Sequence, residues 1–172
     1  VVANWESTAT STLGGYVQGV ADAQDAESQA LAAGMLAGRP IYFSIDFDAQ
    51  PSQQATLDAD GDGVALVIGR ARTGAYAGYY ALQRLYADGK IAWGWQTYAW
   101  SYGNWDSRAQ LRQVQNDITA GGISACCDAD VAMATDYGQW HHAGSGGGAE
   151  GATHFATDGQ WLQGFGAPDW AG

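Results

Sequence analysis

The sequence is poor in basic residues and histidine, and each shortage excludes a class of function. Seven Lys and Arg residues stand against 18 Asp and Glu, which gives a net charge of −11 at pH 7. A surface of this sign repels phosphate backbones, so we expect no nucleic-acid partner. All three histidines lie at position 141 or later. Residues 1–140 therefore contain neither a Ser-His-Asp triad nor a His-based zinc site.

Long apolar runs and separated cysteines are also missing. No apolar run reaches the length of about 18 residues that a membrane-spanning helix needs, and no signal peptide is visible at the N-terminus. The two cysteines, Cys126 and Cys127, are adjacent, which is poor geometry for a disulfide and gives no metal-ligand spacing. We interpret both as buried thiols, and we expect no membrane span, metal or cofactor.

The composition is that of a globular protein with a hydrophobic core, since 47% of the 172 residues are hydrophobic and 12% are aromatic. The apolar pattern runs through residues 1–140, which we predict to be one domain. Residues 141–153 are rich in glycine and are predicted to be a linker. Residues 154–172 are predicted to be a C-terminal tail or the start of a further module. Because the chain opens within a strand-like pattern, VVANWE, we expect a missing upstream segment.

Strand and helix patterns alternate along the domain. Helices are predicted over 14–34, 55–68 and 78–87, and strands over 1–6, 41–47, 74–76, 90–99, 113–115 and 123–131, with a short helical lead-in at 107–112. This alternation predicts a parallel sheet, and carboxylates at several strand ends favour an α/β barrel of the (β/α)8 TIM type over an open sheet. A complete barrel typically needs roughly 250 residues. We therefore expect strands 3 to 8 here, with the first two βα units missing.

Acidic residues at strand ends are the strongest chemical signal. Asp46 and Asp48 lie two apart on one predicted strand, so their side chains leave the same face with roughly 6.6 Å between their Cα atoms. Two such carboxyls can divide the acid and base, or acid and nucleophile, roles of glycosidic cleavage. Glu6 ends the preceding strand, and Asp128 and Asp130 repeat the spacing on the last one. By spacing alone, a D-x-D at a strand end can equally cap a loop or bind a cation.

A second acidic run, DADGDG at 58–63, imitates the start of a calcium-binding loop. The twelfth position of such a loop would be Gly69, where a bidentate Glu is needed. We therefore predict an acidic turn rather than a calcium site.

Aromatic residues are dense between positions 93 and 105, where the sequence carries Trp93, Trp95, Tyr98, Trp100, Tyr102 and Trp105. Alternation along a strand places Trp93 and Trp95 on one face, and Gln96, Tyr98 and Trp100 on the other. Aromatic rings and amide groups commonly line carbohydrate clefts. We expect at least two of Trp93, Trp95 and Tyr98 to be core residues, and Trp100, Tyr102 and Trp105 to lie at the mouth of the barrel.

Six separated motifs together resemble a known family. The runs NWE, GRPIYFSIDFDA, TGAYAGYY, WGWQTYAWS, AQLRQVQND and CCDADVAMATDYGQW, in order over residues 1–140, resemble the glycoside-hydrolase-like domain of bacteria and actinophages, a relative of the family 25 muramidases. In the muramidases a D-x-E after the fourth strand carries an Asp and the catalytic Glu. Asp46 and Asp48 hold these positions here. The strand-8 D-x-N resembles residues 128–130, and the strand-7 W-Q-Y resembles residues 113–115.

The sequence departs from the muramidase pattern at two points. Asp48 is one methylene shorter than the Glu that it would replace, and a misplacement of about 1 Å can cost roughly a hundredfold in rate. The Asp that muramidases take from strand 1 is absent from this chain, although Glu6 could supply the missing reach.

The resemblance implies a domain directed at peptidoglycan or a related bacterial glycan. It implies a secreted protein, a phage lysin or a phage tail, with other virion proteins as partners in the last case. Our first hypothesis is muramidase-type cleavage, with Asp48 as general acid, Asp46 as assisting carboxylate and Glu6 completing the catalytic set. The residues expected to bind substrate are Asp128, Asp130, Gln96, Tyr98, Trp100, Tyr102 and Gln113.

Two other classes of function remain open at this point. The same cleft in a catalytically inactive wall-binding or structural module, for instance in a phage tail, would bind glycan without cutting it. An acidic scaffold protein without a ligand would instead bury its aromatic residues wholly in the core.

Overall fold

The structure, a computed structural model, describes residues 1–120, 122–140 and 160–162. These residues form a mixed α/β fold in which three α-helices pack on a curled, half-barrel sheet. The strands are β1 (Ala3–Trp5), β2 (Ile41–Ser44), β3 (Thr73–Ala77), β4 (Trp93–Gln96), β5 (Leu111–Ala120), β6 (Ile123–Ala132) and β7 (Gln160–Leu162). The helices are α1 (Gly15–Ala32), α2 (Gln54–Ile68) and α3 (Tyr79–Ala87).

The strands lie in the sheet in chain order, and β1 to β5 are parallel. Both faces of β2 and β3 are buried, as their continuous apolar sequences predict. Ile41 and Phe43 contact the helical layer, where they join Val64 of α2 in one core cluster. Tyr42 points to the opposite, concave face of the sheet. Helix packing on one face and aromatic packing on the other thus enclose the parallel strands.

Aromatic side chains fill much of the concave face of the sheet. Tyr42, Tyr76 and Trp95 form a cluster with Leu111 and Tyr137. The Trp95 ring meets Tyr42 and Tyr76 edge-on, with ring centroids 5.8 and 5.4 Å apart. This cluster forms the floor of the half-barrel, and Tyr76 reaches from it to the edge where the parallel strands end.

The three predicted helices and the six predicted strands are present with shifted ends, and the strand predicted at 113–115 is part of the longer β5. Other predictions are wrong. The segment 107–112 is not helical: Asp106 accepts hydrogen bonds from the backbone and side chain of Arg108, and β5 begins at Leu111. The sheet is not parallel throughout either, because β6 is antiparallel to β5. Only two residues separate β5 from β6, whereas a parallel crossover needs a dozen or more.

The predicted acidic turn at 58–63 is also wrong, because these residues lie inside α2. The helix separates the three carboxyls. Asp62 pairs with Arg70 and Lys90 at 2.5 and 2.8 Å. Asp60 turns toward α1, where burial, assisted by the charge of Asp22, raises the pKa of Asp60 to about 8. The run therefore belongs to the packing of α2 and not to a loop.

The predicted linker at 141–153 lies outside the described residues, as does the tail at 154–172 except for β7. The Cys126 side chain also lies outside them, and Cys127 is buried as predicted. Within the described ranges, no helix combines the length and the apolar character that a membrane span requires.

Two glycines allow α1 and α2 to cross in backbone contact. A Cβ atom added to Gly63 would lie 2.2 Å from the Tyr16 carbonyl oxygen, and one added to Gly19 would lie 2.2 Å from that of Asp60. Real Cβ atoms do not approach backbone this closely, so any side chain here would force the helices apart.

We predict that Gly63→Ala lowers the free energy of unfolding by at least about 2 kcal/mol, because the overpacking outweighs a gain of roughly 1 kcal/mol in helix propensity. Gly61→Ala in the same helix is the matched control, since its Cβ would meet Lys90 at an ordinary 3.4 Å. Urea unfolding of the two variants measures the difference. Equal stabilities would show that the close crossing is not required.

Candidate functional site

A polar cleft of about 380 Å³ opens where the parallel strands end. Its walls come from every strand of the half-barrel from β1 to β6. The residues that line it are Glu6, Asp46, Tyr76, Ala99, Trp100, Gln113, Asn116, Asp117 and Asp128. Three of the carboxylates that the sequence singled out, Glu6, Asp46 and Asp128, are therefore brought together.

Strand alternation explains why Glu6 and Asp46 share the cleft. Asn4 of β1 pairs in register with Tyr42, and its side-chain amide donates a hydrogen bond to the Ser44 hydroxyl at 3.0 Å on the concave face. Glu6 and Asp46 each lie two residues further along the same strand direction. Side chains two apart point to the same face, so both carboxyls reach the concave side just beyond the ends of the strands.

Gln113 of β5 connects three walls of the cleft. Its amide nitrogen donates to the Asp128 carboxylate at 2.8 Å and to the Tyr76 hydroxyl at 3.0 Å. Its amide oxygen accepts the backbone N–H of Tyr98 at 2.8 Å. Gln113 itself is 2% exposed, so its amide fixes the neighbouring side chains and contributes only a small part of the cleft surface.

An irregular stretch of β5 supplies two further lining residues. The β5–β6 register shifts between Gln113 and Gln115 and again between Gln115 and Ile118. Asp117 has a left-handed backbone with φ of 55°, and its N–H donates to Asp128 Oδ1 at 3.0 Å. Bulges of this kind redirect side chains at functional edges of sheets. Here the bulge turns the strand so that Asn116 and Asp117 also line the cleft.

The cleft raises the pKa of one carboxyl in particular. Burial is the main cause that raises the pKa of Asp46, and the negative charge of Asp128 adds to it. The pKa of the Tyr76 hydroxyl is raised as well. Burial is the main cause, and the nearby charges of Asp46, Asp130 and Asp128 add to it. Asp46 is therefore the lining carboxyl that is best placed to hold a proton.

Asp130 lies one layer deeper than Asp128, opposite Gln113 in the β5–β6 pairing. It is 1% exposed and accepts a hydrogen bond from the Trp95 indole N–H at 2.7 Å. Its second oxygen, Oδ2, has no hydrogen-bond partner among the residues that the structure describes. Burial raises the pKa of Asp130 to about 7. This residue supports the floor of the site and does not line the cleft.

The loop from Thr97 to Asp106 forms one rim of the cleft, and Gln96 organises it. The Gln96 amide donates to the Ser101 hydroxyl and the Asn104 carbonyl and accepts the N–H of Asp106. The structure thus places Gln96, predicted to bind substrate, on the face of β4 away from the cleft, with its side chain fully engaged in the loop. Trp100, predicted at the mouth, does line the cleft.

The other predicted site residues lie outside the lining. Asp48 is exposed and accepts a hydrogen bond from the Tyr102 hydroxyl at 2.9 Å. Tyr98 is 59% exposed and Tyr102 is 69% exposed. Trp95 is a buried core residue as expected, and Trp93 packs, partly buried, against the same cluster. Trp105 packs against the main hydrophobic core and not at the mouth. Its ring also lies under the Arg112 guanidinium, 5.3 Å from the ring centroid, which explains the inward position.

Four lining residues were not singled out from the sequence: Tyr76, Ala99, Asn116 and Asp117. Tyr76 ends a predicted strand. Because the carboxyl ends of parallel strands meet at the cleft, its position in the sequence could have identified it. Asn116 and Asp117 depend on the bulge in β5, for which the sequence pattern gives no signal.

Comparison with known proteins supports the α/β half-barrel fold described above. Residues 1–133 match the family described as Rv2525c-like, glycoside hydrolase-like domain. The chain belongs to this family. The resemblance drawn from the six sequence motifs is thus confirmed at the level of the glycoside-hydrolase-like domain. No curated protein matches the sequence significantly.

Two crystal structures of the Mycobacterium tuberculosis Tat-secreted protein Rv2525c are similar to the Rv2525c-like domain. The complex with L-tartrate is 31% identical with a TM-score of 0.71, and the complex with HEPES is 30% identical with a TM-score of 0.69. Each alignment covers 76% of this chain and 64% of Rv2525c. The chain therefore spans less than two thirds of the length of that relative.

The buried carboxyl of Asp130 predicts a pH-dependent stability. Its pKa of about 7 in the folded state lies above the ordinary aspartate value of about 3.9, so the folded protein binds the proton more tightly than the unfolded chain. Asp130 therefore destabilises the fold increasingly as pH rises from about 4 to about 7. We predict that Asp130→Asn, relative to wild type, gains roughly 2 to 4 kcal/mol between pH 4 and pH 8. Urea unfolding at the two pH values measures this gain.

Asp25→Asn, which changes an exposed carboxylate on α1, is the control and should alter stability by less than about 0.5 kcal/mol. A stability difference between Asp130→Asn and wild type that is the same at both pH values would contradict the assignment of a raised pKa to Asp130.

Proposed function

We propose that this domain is a glycoside hydrolase directed at peptidoglycan or a related bacterial glycan, which it cleaves by paired carboxylates. The observation that carries the proposal is the convergence of Glu6, Asp46 and Asp128, from three different strands, on one polar cleft. Capping of loops does not require carboxylates from separate strands to meet. Cleavage of a glycosidic bond does require a protonated carboxyl beside an ionised one.

In this proposal Asp46 is the general acid. Burial and the charge of Asp128 favour its protonated form, so it can donate a proton to the glycosidic oxygen. Asp128 is held by the Gln113 amide and the Asp117 N–H and serves as the ionised carboxylate opposite it, as base, nucleophile or stabiliser of positive charge. Glu6 adds a further negative charge at the rim. The sequence suggested Asp48 as the general acid. We assign this role to Asp46 instead, because Asp48 lies outside the cleft lining.

Sugar recognition would come from the remaining walls. Trp100 contributes an aromatic side chain to the lining, and Tyr76 and Asn116 contribute a hydroxyl and an amide. This combination suits a sugar ring, which has apolar faces and hydroxyl edges.

We further infer that β1 to β6 correspond to strands 3 to 8 of a TIM-type barrel. The order of the strands, their carboxyl-end cleft and the glycoside-hydrolase-like family support this correspondence. The antiparallel β6 is a departure from the regular barrel.

A secreted protein is the location that the relatives favour, since Rv2525c is a Tat-secreted protein. Secretion would bring the cleft to cell-wall glycan, and we therefore favour it over a phage tail or lysin.

A second candidate function is a wall-binding module that does not cleave. The position of Asp48 favours it: the residue that aligns with the muramidase acid contacts Tyr102 and not the cleft. The two candidates share the ligand and differ only in whether the glycosidic bond is broken.

Release of reducing ends from purified peptidoglycan distinguishes these candidates. We predict that Asp46→Asn lowers the rate by about a hundredfold or more, the usual contribution of a general acid. We also predict that the wild-type rate falls as pH rises through the raised pKa of Asp46, because the acid then loses its proton.

Asp25→Asn, an exposed change on α1, is the matched control and should keep the wild-type rate. If Asp48→Asn abolishes release and Asp46→Asn does not, the general acid is Asp48. If wild type binds peptidoglycan but releases no reducing ends, the domain is the non-cleaving module.

A further inference from the structure

A tyrosine surface lies on the rim of the cleft, outside its lining. Tyr80 and Tyr102 have ring centroids 6.3 Å apart and are 47% and 69% exposed. Tyr79 packs edge-on against Tyr80 with centroids 5.0 Å apart. We call Tyr80, Tyr102 and the adjoining Asp48 the rim platform.

Topology places the rim platform at the same edge of the sheet as the cleft. Tyr80 lies in the first turn of α3, directly after the end of β3. Tyr102 lies in the loop after β4, and Asp48 follows β2. All three therefore lie at the ends of parallel strands that also supply the cleft. The platform is continuous with the cleft through one loop, because Trp100, two residues before Tyr102, lines the cleft.

The loop that joins the two surfaces is rigidly held. Ser101 donates to the Thr97 carbonyl and accepts the N–H of Tyr79, which ties the loop to the start of α3. A Cβ atom on Gly78 would come within 2.9 Å of the Trp100 backbone, so the loop packs directly on the end of β3. The tyrosine at position 102 is fixed in turn by its 2.9 Å hydrogen bond to Asp48.

Backbone strain is concentrated at the same place. Among the described residues, the non-glycine positions with positive φ are Trp100, Tyr102 and Asp117, at 56°, 51° and 55°. Such a conformation costs roughly 1 to 2 kcal/mol per residue, and it persists where surrounding contacts enforce it, commonly at binding sites. Two of these residues line the cleft and the third is the most exposed tyrosine of the platform.

The cleft alone is small for a polymer. At about 380 Å³ it is near the lower end of ligand pockets, which span roughly 300 to 1,000 Å³. A glycan strand with one unit in the cleft must continue across the rim. The geometry points to the rim platform as a second sugar-binding subsite, in which Tyr80 and Tyr102 stack on a further ring of the glycan and Asp48 accepts a hydrogen bond from its hydroxyls.

This inference rests on the proposed glycan-directed function, and it adds the place at which a glycan strand leaves the cleft. It gives Asp48 a binding role, through its own acceptor oxygens and through the orientation of Tyr102. Pre-fixed aromatic rings lose little conformational entropy on binding, which is why a rigid, exposed pair can contribute to affinity.

Binding of the N-acetylglucosamine hexamer and dimer, measured by calorimetry, tests the subsite. We expect Tyr80→Ala and Tyr102→Ala each to weaken hexamer binding by about tenfold, the upper range for an aromatic pair contact, and to leave dimer binding in the cleft unchanged. Tyr102→Phe keeps the ring and loses the bond to Asp48, so it should weaken hexamer binding by a few-fold only. Tyr16→Ala, at a tyrosine of similar exposure on α1, 46%, is the matched control.

The outcomes separate this inference from the proposed function. If Trp100→Ala and Asp46→Asn weaken hexamer binding while Tyr80→Ala and Tyr102→Ala do not, the cleft is the glycan site and the rim platform is not a subsite. If platform variants weaken the hexamer and the dimer equally, the platform does not bind a separate ring and the inference is wrong. If wild type binds neither oligosaccharide, the platform and the proposed function for this glycan class fail together.

Discussion

Parallel pairing of β1 to β5 is the constraint on which the candidate site depends. Ala3 pairs with Ile41, and Ile41 pairs with Thr73, so the first three strands start level and end at one edge. Residues just beyond those ends must therefore face each other. With a shift of one residue in this register, Asp46 would point to the helical layer, and the carboxylates of different strands would no longer meet.

The polar groups on the concave face are the second requirement. A buried amide or carboxyl is costly unless it has hydrogen-bond partners. Gln113 meets this condition through Tyr76, Asp128 and the Tyr98 backbone, so its burial is compensated. Asp130 meets it only in part, since among the described residues it has one partner for two oxygens. Retaining a partly satisfied carboxyl below the cleft is typical of sites where function takes precedence over stability.

Much of the site could be predicted from the sequence because local patterns determine it. The helical spacing of apolar residues predicted the three helices within a few residues, and the apolar run before Asp46 predicted the strand that precedes it. The remaining features depend on tertiary contacts. The connection between β5 and β6, only two residues long, makes β6 antiparallel. The bulge at Asp117 turns that residue and Asn116 into the cleft.

The expectation that residues two apart on a strand share a face misplaced Asp48, again because tertiary contacts decide where this residue lies. Asp46 and Asp48 would share a face on a continuing strand, but β2 ends at Ser44. The chain then bends toward α2, and Tyr102 from a distant loop captures the Asp48 carboxylate. Gln96 was likewise assigned by alternation to the face opposite Trp95, which is correct, yet that face packs on the loop and not on a ligand.

The central claim is that carboxylates from separate strands interact at one cleft, and carbon-13 NMR titration of the Asp46 carboxyl tests it directly. In wild type the account predicts a pKa above the ordinary aspartate value, because burial and the Asp128 charge both raise it. In Asp128→Asn the pKa of Asp46 should fall, since one of these causes is removed. An Asp46 pKa at the ordinary value that does not respond to Asp128→Asn would contradict the account.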